Sequence, residues 1–169
     1  MVRYWDKAAT EEGTGSKTAG VLMAFMSKDC FYGVLVLDCV TGRMGAGDRE
    51  NRIKQIAQLD GIEVEVGVEQ EPGSGGKESA QNTVLNTLIG FKTFVDRPTG
   101  AKEVRLDPFI AQVDHRNVAV LSRRWTREYI DSLEECAPGH VTDEGDATSG
   151  AFNKLAGLSG KSRARIRVA

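Results

Sequence analysis

Three strand-like segments come before any helical pattern in this chain, and that order restricts the folds open to it. Residues 1–6, 17–26 and 31–40 are rich in apolar, β-branched and aromatic side chains. The link Ser27-Lys28-Asp29 is too short for a crossover, so the second and third segments are expected to pair as an antiparallel hairpin. The third is almost continuously apolar, which predicts burial on both faces. The pattern then changes. Residues 48–60 place Ile53, Ile56 and Ala57 on one helical face and stop at Gly61. Residues 62–69 alternate apolar and polar as a strand does. Residues 78–89 carry Ala80, Val84 and Leu88 at spacing four, with Gly90 as the stop. A short strand over 91–95, a helix over 103–115 with Asp107-Pro108 near its start, a short strand over 118–121 and a helix over 126–136 follow. A last helix from Asp143 turns Ala147, Ala151, Leu155 and Leu158 inward. The expectation is an α/β fold, a mixed sheet with helices on its faces.

The 169 residues suit one domain with a single good core. No apolar run approaches the ~20 residues of a membrane span, and no basic leader precedes an apolar stretch. A cytoplasmic protein with no membrane partner is expected. The first strand begins at once, as in a domain taken from a longer protein. Cys30, Cys39 and Cys136 are odd in number and lack C-x-x-C spacing, so they read as buried reduced thiols. The net charge of −2 does not announce a nucleic-acid partner, although local patches matter more than the total. Basic residues gather late, and Lys161, Arg163, Arg165 and Arg167 mark residues 159–169 as a flexible basic tail after a domain spanning 1–158.

Two kinds of site present themselves. The run from Glu69 to Lys77, with Gly73, Gly75 and Gly76, follows a strand as a phosphate loop would. A Walker loop needs G-x-x-x-x-G-K-[ST], whereas Glu71 stands five before Gly76 and Glu78 follows Lys77. Ser16-Lys17-Thr18 fails in the same way, and no G-x-G-x-x-G follows the first strand. The carboxylates are more informative. Asp6 ends the first strand on the side of Val2 and Tyr4, and Glu69 ends the fourth on the side opposite Val64, Val66 and Val68. Asp143 and Asp146 open the last helix on neighbouring positions of one face. If the first and fourth strands lie side by side in parallel, Asp6 and Glu69 meet. Carboxylates so gathered raise one another's pKa, and a hard divalent cation such as Mg²⁺ or Mn²⁺ removes the repulsion. Spacing alone equally allows Asp143 as a helix cap, Glu69 and Glu71 as loop carboxylates, and Asp6-Lys7 as a surface pair. His115 and His140 have no partner at metal spacing, and no Ser-His-Asp or Cys-His arrangement stands out.

Four segments in order carry a resemblance: Arg3-Tyr4-Trp5-Asp6-Lys7-Ala8, Glu69 to Lys77, Arg97-Pro98-Thr99-Gly100 through Lys102 to Asp107-Pro108-Phe109, and Asp143 through Asp146-Ala147 to Gly150-Ala151-Phe152. Together, over residues 3–156, they resemble the C-terminal nuclease domain of tailed-phage terminase large subunits. The resemblance implies a ribonuclease-H-like mixed five-stranded sheet with helices on both faces. It implies a phage or prophage DNA endonuclease that cuts concatemeric viral DNA in the host cytoplasm during genome packaging. Asp6, Glu69 and Asp143 then match the catalytic carboxylates, with Asp146 as a fourth metal ligand. Two Mg²⁺ or Mn²⁺ ions are implied, one activating water and one stabilising the departing 3′ oxygen. Lys77, Lys102 and Arg105 match positions that meet phosphates of double-stranded DNA, and Glu71 a supporting group. An ATPase domain, the small terminase subunit and the portal are the implied partners. Val141 and Thr142 depart from the family's His and first Asp, and Gly145 from an apolar position. A resolvase, a transposase or a non-catalytic DNA or portal docking module are the competing readings.

Overall fold

The computed structural model describes residues 1–7, 17–28 and 31–157; the tail expected over 159–169 lies outside them, and so does Cys30. The strands are β1 (Val2–Asp6), β2 (Thr18–Lys28), β3 (Phe31–Gly42), β4 (Glu65–Glu69), β5 (Thr93–Asp96) and β6 (Val118–Val120). The helices are α1 (Ala46–Asp60), α2 (Ser74–Asn82), α3 (Lys102–Asp114), α4 (Thr126–Glu134) and α5 (Asp143–Leu155).

The strands form one sheet in the order β5-β4-β1-β2-β3-β6. The expected hairpin is present: β2 pairs antiparallel with both β1 and β3. The α/β crossovers that follow make β4 parallel to β1 and β5 parallel to β4, as long connections through helices require. The sheet has six strands rather than five, because the short segment at 118–120 adds to β3 in parallel.

Alternation along the strands divides the core in two. On one face Tyr4, Val21, Met23, Val34 and Val36 pack with Leu106 and Phe109 of α3, Tyr129 of α4, and Ala147, Ala151 and Phe152 of α5. On the other, Trp5, Val66 and Val68 pack with Ile53, Ile56 and Ala57 of α1, Ala80 of α2 and Leu88. Helices therefore cover both faces. Burial of β3 on both faces does not hold along its length. Val34 and Val36 are buried while Tyr32 is largely exposed, because the outer end of the β2–β3 hairpin has no helix over it. Cys39 is buried and Cys136 partly so, and both are free thiols; burial pushes the Cys39 thiol up to about 12.

Two helix boundaries differ from expectation. The second helix starts at Ser74, so Gly75 and Gly76 form its first turn instead of a loop, and it widens into a π-helical turn over Thr83–Thr87. Gly73 takes φ of 94° at the start of α2, a conformation that glycine adopts without strain. A side chain on Gly76 would collide with the Glu71 carbonyl. The glycines thus fold the chain back tightly behind Glu69. Pro108 lies inside α3 rather than at its start. It forfeits one backbone hydrogen bond to the carbonyl of Val104, a residue on the solvent side of the helix.

Candidate active site

Parallel pairing of β1 and β4 sets Trp5 beside Val68, so the next residues, Asp6 and Glu69, end side by side. Both project to the α5 face, since Trp5 and Val68 point to the opposite one. The α5 helix crosses that face close to β1. Its Gly150 lies against the Tyr4 ring so tightly that a Cβ would overlap the ring atoms. One turn earlier the same helix delivers Asp146, fully buried, toward the strand ends.

The four carboxylates Asp6, Glu69, Asp143 and Asp146 are close enough to perturb one another. Burial, then Glu69, Asp146 and Asp143, push Asp6 well above the ordinary aspartate range, with Lys102 opposing. Glu69 is raised mainly by burial, against the pull of Arg105. Asp143 is raised by burial, although the Lys17 backbone N–H donates to its Oδ2 at 2.6 Å. Asp6 is 7% exposed, yet no described residue donates a hydrogen bond to its carboxylate. Burying a carboxylate is costly, and this one stands among others of the same sign.

Two cations reach into this cluster from α3. Arg105 Nη2 donates to Asp146 Oδ1 at 2.9 Å, and its Nη1 lies 3.6 Å from Glu69 Oε2. The Lys102 ammonium pairs with Asp146 Oδ2. Attraction to Asp146 outweighs the effect of burial on Lys102 and raises its pKa. As sequence candidates for phosphate contacts, Lys102 and Arg105 are instead turned inward onto carboxylates. Lys77 is exposed in the first turn of α2, apart from the cluster. Glu71 is half-buried and lines a pocket of about 390 Å³ with Lys7, Arg49, Glu69, Gly75, Gly76 and Ser79.

Among the described residues, no three His, Cys, Asp or Glu side chains converge closely enough, as they stand, to hold a metal ion. The donor set nevertheless suits a hard cation: it is all oxygen, Asp6, Glu69 and Asp146 are buried, and no described residue donates to Asp6. The Thr142 position departs from the resemblance for a visible reason. Thr142 is the N-cap of α5, accepting from the Gly145 N–H at 3.1 Å, which leaves Asp143 free of a capping role. Glu144, next in line, is engaged elsewhere: Thr41 and Ser132 donate to it at 2.7 and 2.9 Å. Burial raises Glu144, but those hydrogen bonds outweigh it and hold the group low.

Sequence reasoning passed over three groups. Asp96 pairs in register with Glu69 and accepts from the Tyr4 hydroxyl at 2.9 Å, which also lies 3.4 Å from Glu69 Oε2. An aspartate closing the strand beside β4 was the available signal. Lys7 is buried and donates to Ser79, Thr83 and, at 3.3 Å, Glu50. Burial lowers its pKa against the pull of Glu50. Glu50 also accepts from Thr83 and Thr87 of the π-helical turn. This network ties the end of β1 to α1 and α2 directly behind Asp6.

No protein-family profile matches the chain, and no curated protein matches it. Solved structures do. The fowlpox virus Holliday junction resolvase is similar with a TM-score of 0.54 and 12% identity, over 93% of this chain and 98% of that one. The fowlpox virus resolvase in complex with substrate Holliday junction DNA is similar with a TM-score of 0.52 and 12% identity, over 93% and 97%. The chain has the mixed α/β, ribonuclease-H-like fold that these structures share.

Proposed function

We propose that this protein is a divalent-metal-dependent endonuclease acting on branched DNA, in the manner of a Holliday junction resolvase. The observation that carries the chemistry is Asp6, buried at the strand end with no hydrogen bond from a described residue, beside Glu69 and close to Asp146. Likeness to the fowlpox virus resolvase along nearly the whole length of both chains supports the substrate class.

Asp6, Glu69 and Asp146 would hold the metal, with Asp143 at the rim of the same cluster. When bound, Mg²⁺ or Mn²⁺ supplies charge neutralisation and an activated water for phosphodiester hydrolysis. The chain's own groups do the rest. Tyr4 holds Asp96 and Glu69 in place through its hydroxyl, and the Lys7–Glu50–Thr83 network fixes the backbone behind Asp6. Lys102, half-exposed on the first turn of α3, is free to turn from Asp146 to a DNA phosphate. Lys77, exposed on α2, is placed for a second phosphate contact. Such contacts position the duplex without reading its sequence.

The packaging nuclease of a terminase large subunit is the second reading. It rests on the order of the four segments named above, and the ATPase, small-subunit and portal partners rest on that resemblance alone. Cleavage with Mn²⁺ of a synthetic four-way junction, compared with a linear duplex of the same sequence, separates the readings. Preferential cutting of the junction, stopped by chelator, is expected. Equal cutting of both substrates favours the terminase reading, and no cutting with any divalent ion favours a docking module.

A further inference from the structure

We infer that Arg105 takes the place of a second metal ion, so that this site binds one divalent cation rather than two. The inference rests on the metal-dependent reading above and sharpens it. Arg105 spans two carboxylates of the cluster, Glu69 and Asp146, with its terminal nitrogens 3.6 and 2.9 Å from their oxygens, and so puts a positive charge where a second cation would otherwise be needed. It is fixed there. The side chain is 12% exposed, the next residue, Leu106, is buried in the core, and Asn153 Nδ2 donates to the Arg105 carbonyl at 3.0 Å. A guanidinium stays charged at any pH the fold survives, so it acts as a permanent cation. Lys102 differs: it is 53% exposed and touches Asp146 from the edge.

The oxygens left over fit a single ion. No described residue donates to either oxygen of Asp6 or to Oε1 of Glu69, and Asp146 Oδ2 has only the movable Lys102 ammonium beside it. These oxygens belong to three carboxylates from β1, β4 and α5. By contrast, Glu69 Oε2 faces Tyr4 and Arg105, and Asp146 Oδ1 faces Arg105.

The test is Mn²⁺ electron paramagnetic resonance on the full chain, with Mn²⁺ alone and with a phosphorothioate-protected four-way junction bound. Wild type should bind one Mn²⁺ per chain in both arms and give an uncoupled spectrum. Arg105→Gln, which removes the charge but keeps a polar side chain, should raise the count to two, with the spin coupling of ions about 3.5–4 Å apart. Arg105→Lys should stay at one. Two coupled ions in the wild type, in either arm, overturn the inference and leave the nuclease reading intact. A folded Arg105→Gln variant that still binds one ion also overturns it. No Mn²⁺ bound to the wild type would instead remove the metal-dependent reading itself. Should Arg105→Gln fail to fold, the wild-type count alone decides.

Discussion

Asp6→Asn should make the metal-free protein more stable while removing its affinity for metal. In the fold Asp6 is nearly fully buried, receives no hydrogen bond from a described residue, and faces Glu69, Asp146 and Asp143. A buried charged group left unsatisfied costs ~1–3 kcal/mol or more. Asparagine keeps the shape, carries no charge and offers an N–H₂ to the neighbouring carboxylates. The sign follows from the raised pKa. An acid whose folded pKa lies above its unfolded value binds more protons in the folded state between the two. Its favourable contribution is complete below about pH 3.9, the unfolded value, and is lost as pH rises through the raised folded value. Glu69 and Asp143 are shifted the same way, so the wild type should lose stability from mildly acidic to neutral pH in chelator. Asp6→Asn should lose less. At pH 7.5 in chelator a gain near the middle of that range corresponds to a Tm increase on the order of 5 °C for a domain of this size. Saturating Mn²⁺ should reverse the order, since only the wild type gains from binding. Thermal melts at pH 4.5 and 7.5, with chelator and with Mn²⁺, measure all four cases. A variant that melts lower than wild type at pH 7.5 in chelator, or a difference that does not shrink at pH 4.5, refutes the reasoning.

Other outcomes follow from the same structure. Gly150→Ala drives a methyl into the Tyr4 ring; overpacking there should cost ~1–3 kcal/mol in denaturant unfolding and weaken Mn²⁺ binding as α5 moves off β1. Arg3 is buried on the other face of the sheet, holding Asp60 through two hydrogen bonds and Asp38 through one. Arg3→Ala should cost about 3–5 kcal/mol in the same measurement, without altering the Mn²⁺ count of the folded fraction. Thr142→Val removes the α5 cap and should cost about 1 kcal/mol in the same measurement.

Much of the fold was legible because strands and helices of this chain carry clean periods. Val66 and Val68 of the alternating segment and the apolar spacing of Ile53, Ile56 and Ala57 meet in one core cluster, although β4 starts only at Glu65 and Ile62 is exposed. The meeting of Asp6 and Glu69 was legible too, since both close strands and only the parallel pairing of β1 with β4 had to be supplied. What was not legible depends on three-dimensional neighbours. Glycine is a poor helix former, so Ser74-Gly75-Gly76 read as a loop, although close packing on Glu71 makes it the first turn of α2. The fit of Thr142 as a cap needed the backbone of α5. Lys102 and Arg105 were visible as basic residues near the site, but only the packing of α3 against α5 shows that they turn onto Asp146. Lys7 looked like half of a surface pair, and its burial against Glu50, Ser79 and Thr83 comes from helices far along the chain.

A crystal soaked in Mn²⁺, with anomalous scattering to locate the ion, tests the central claim most directly. The account predicts a manganese peak bound by Asp6, Glu69 and Asp146, with Lys102 swung away and Arg105 still in contact with Asp146. Manganese bound elsewhere, with these carboxylates unchanged and paired only to Lys102 and Arg105, would contradict it.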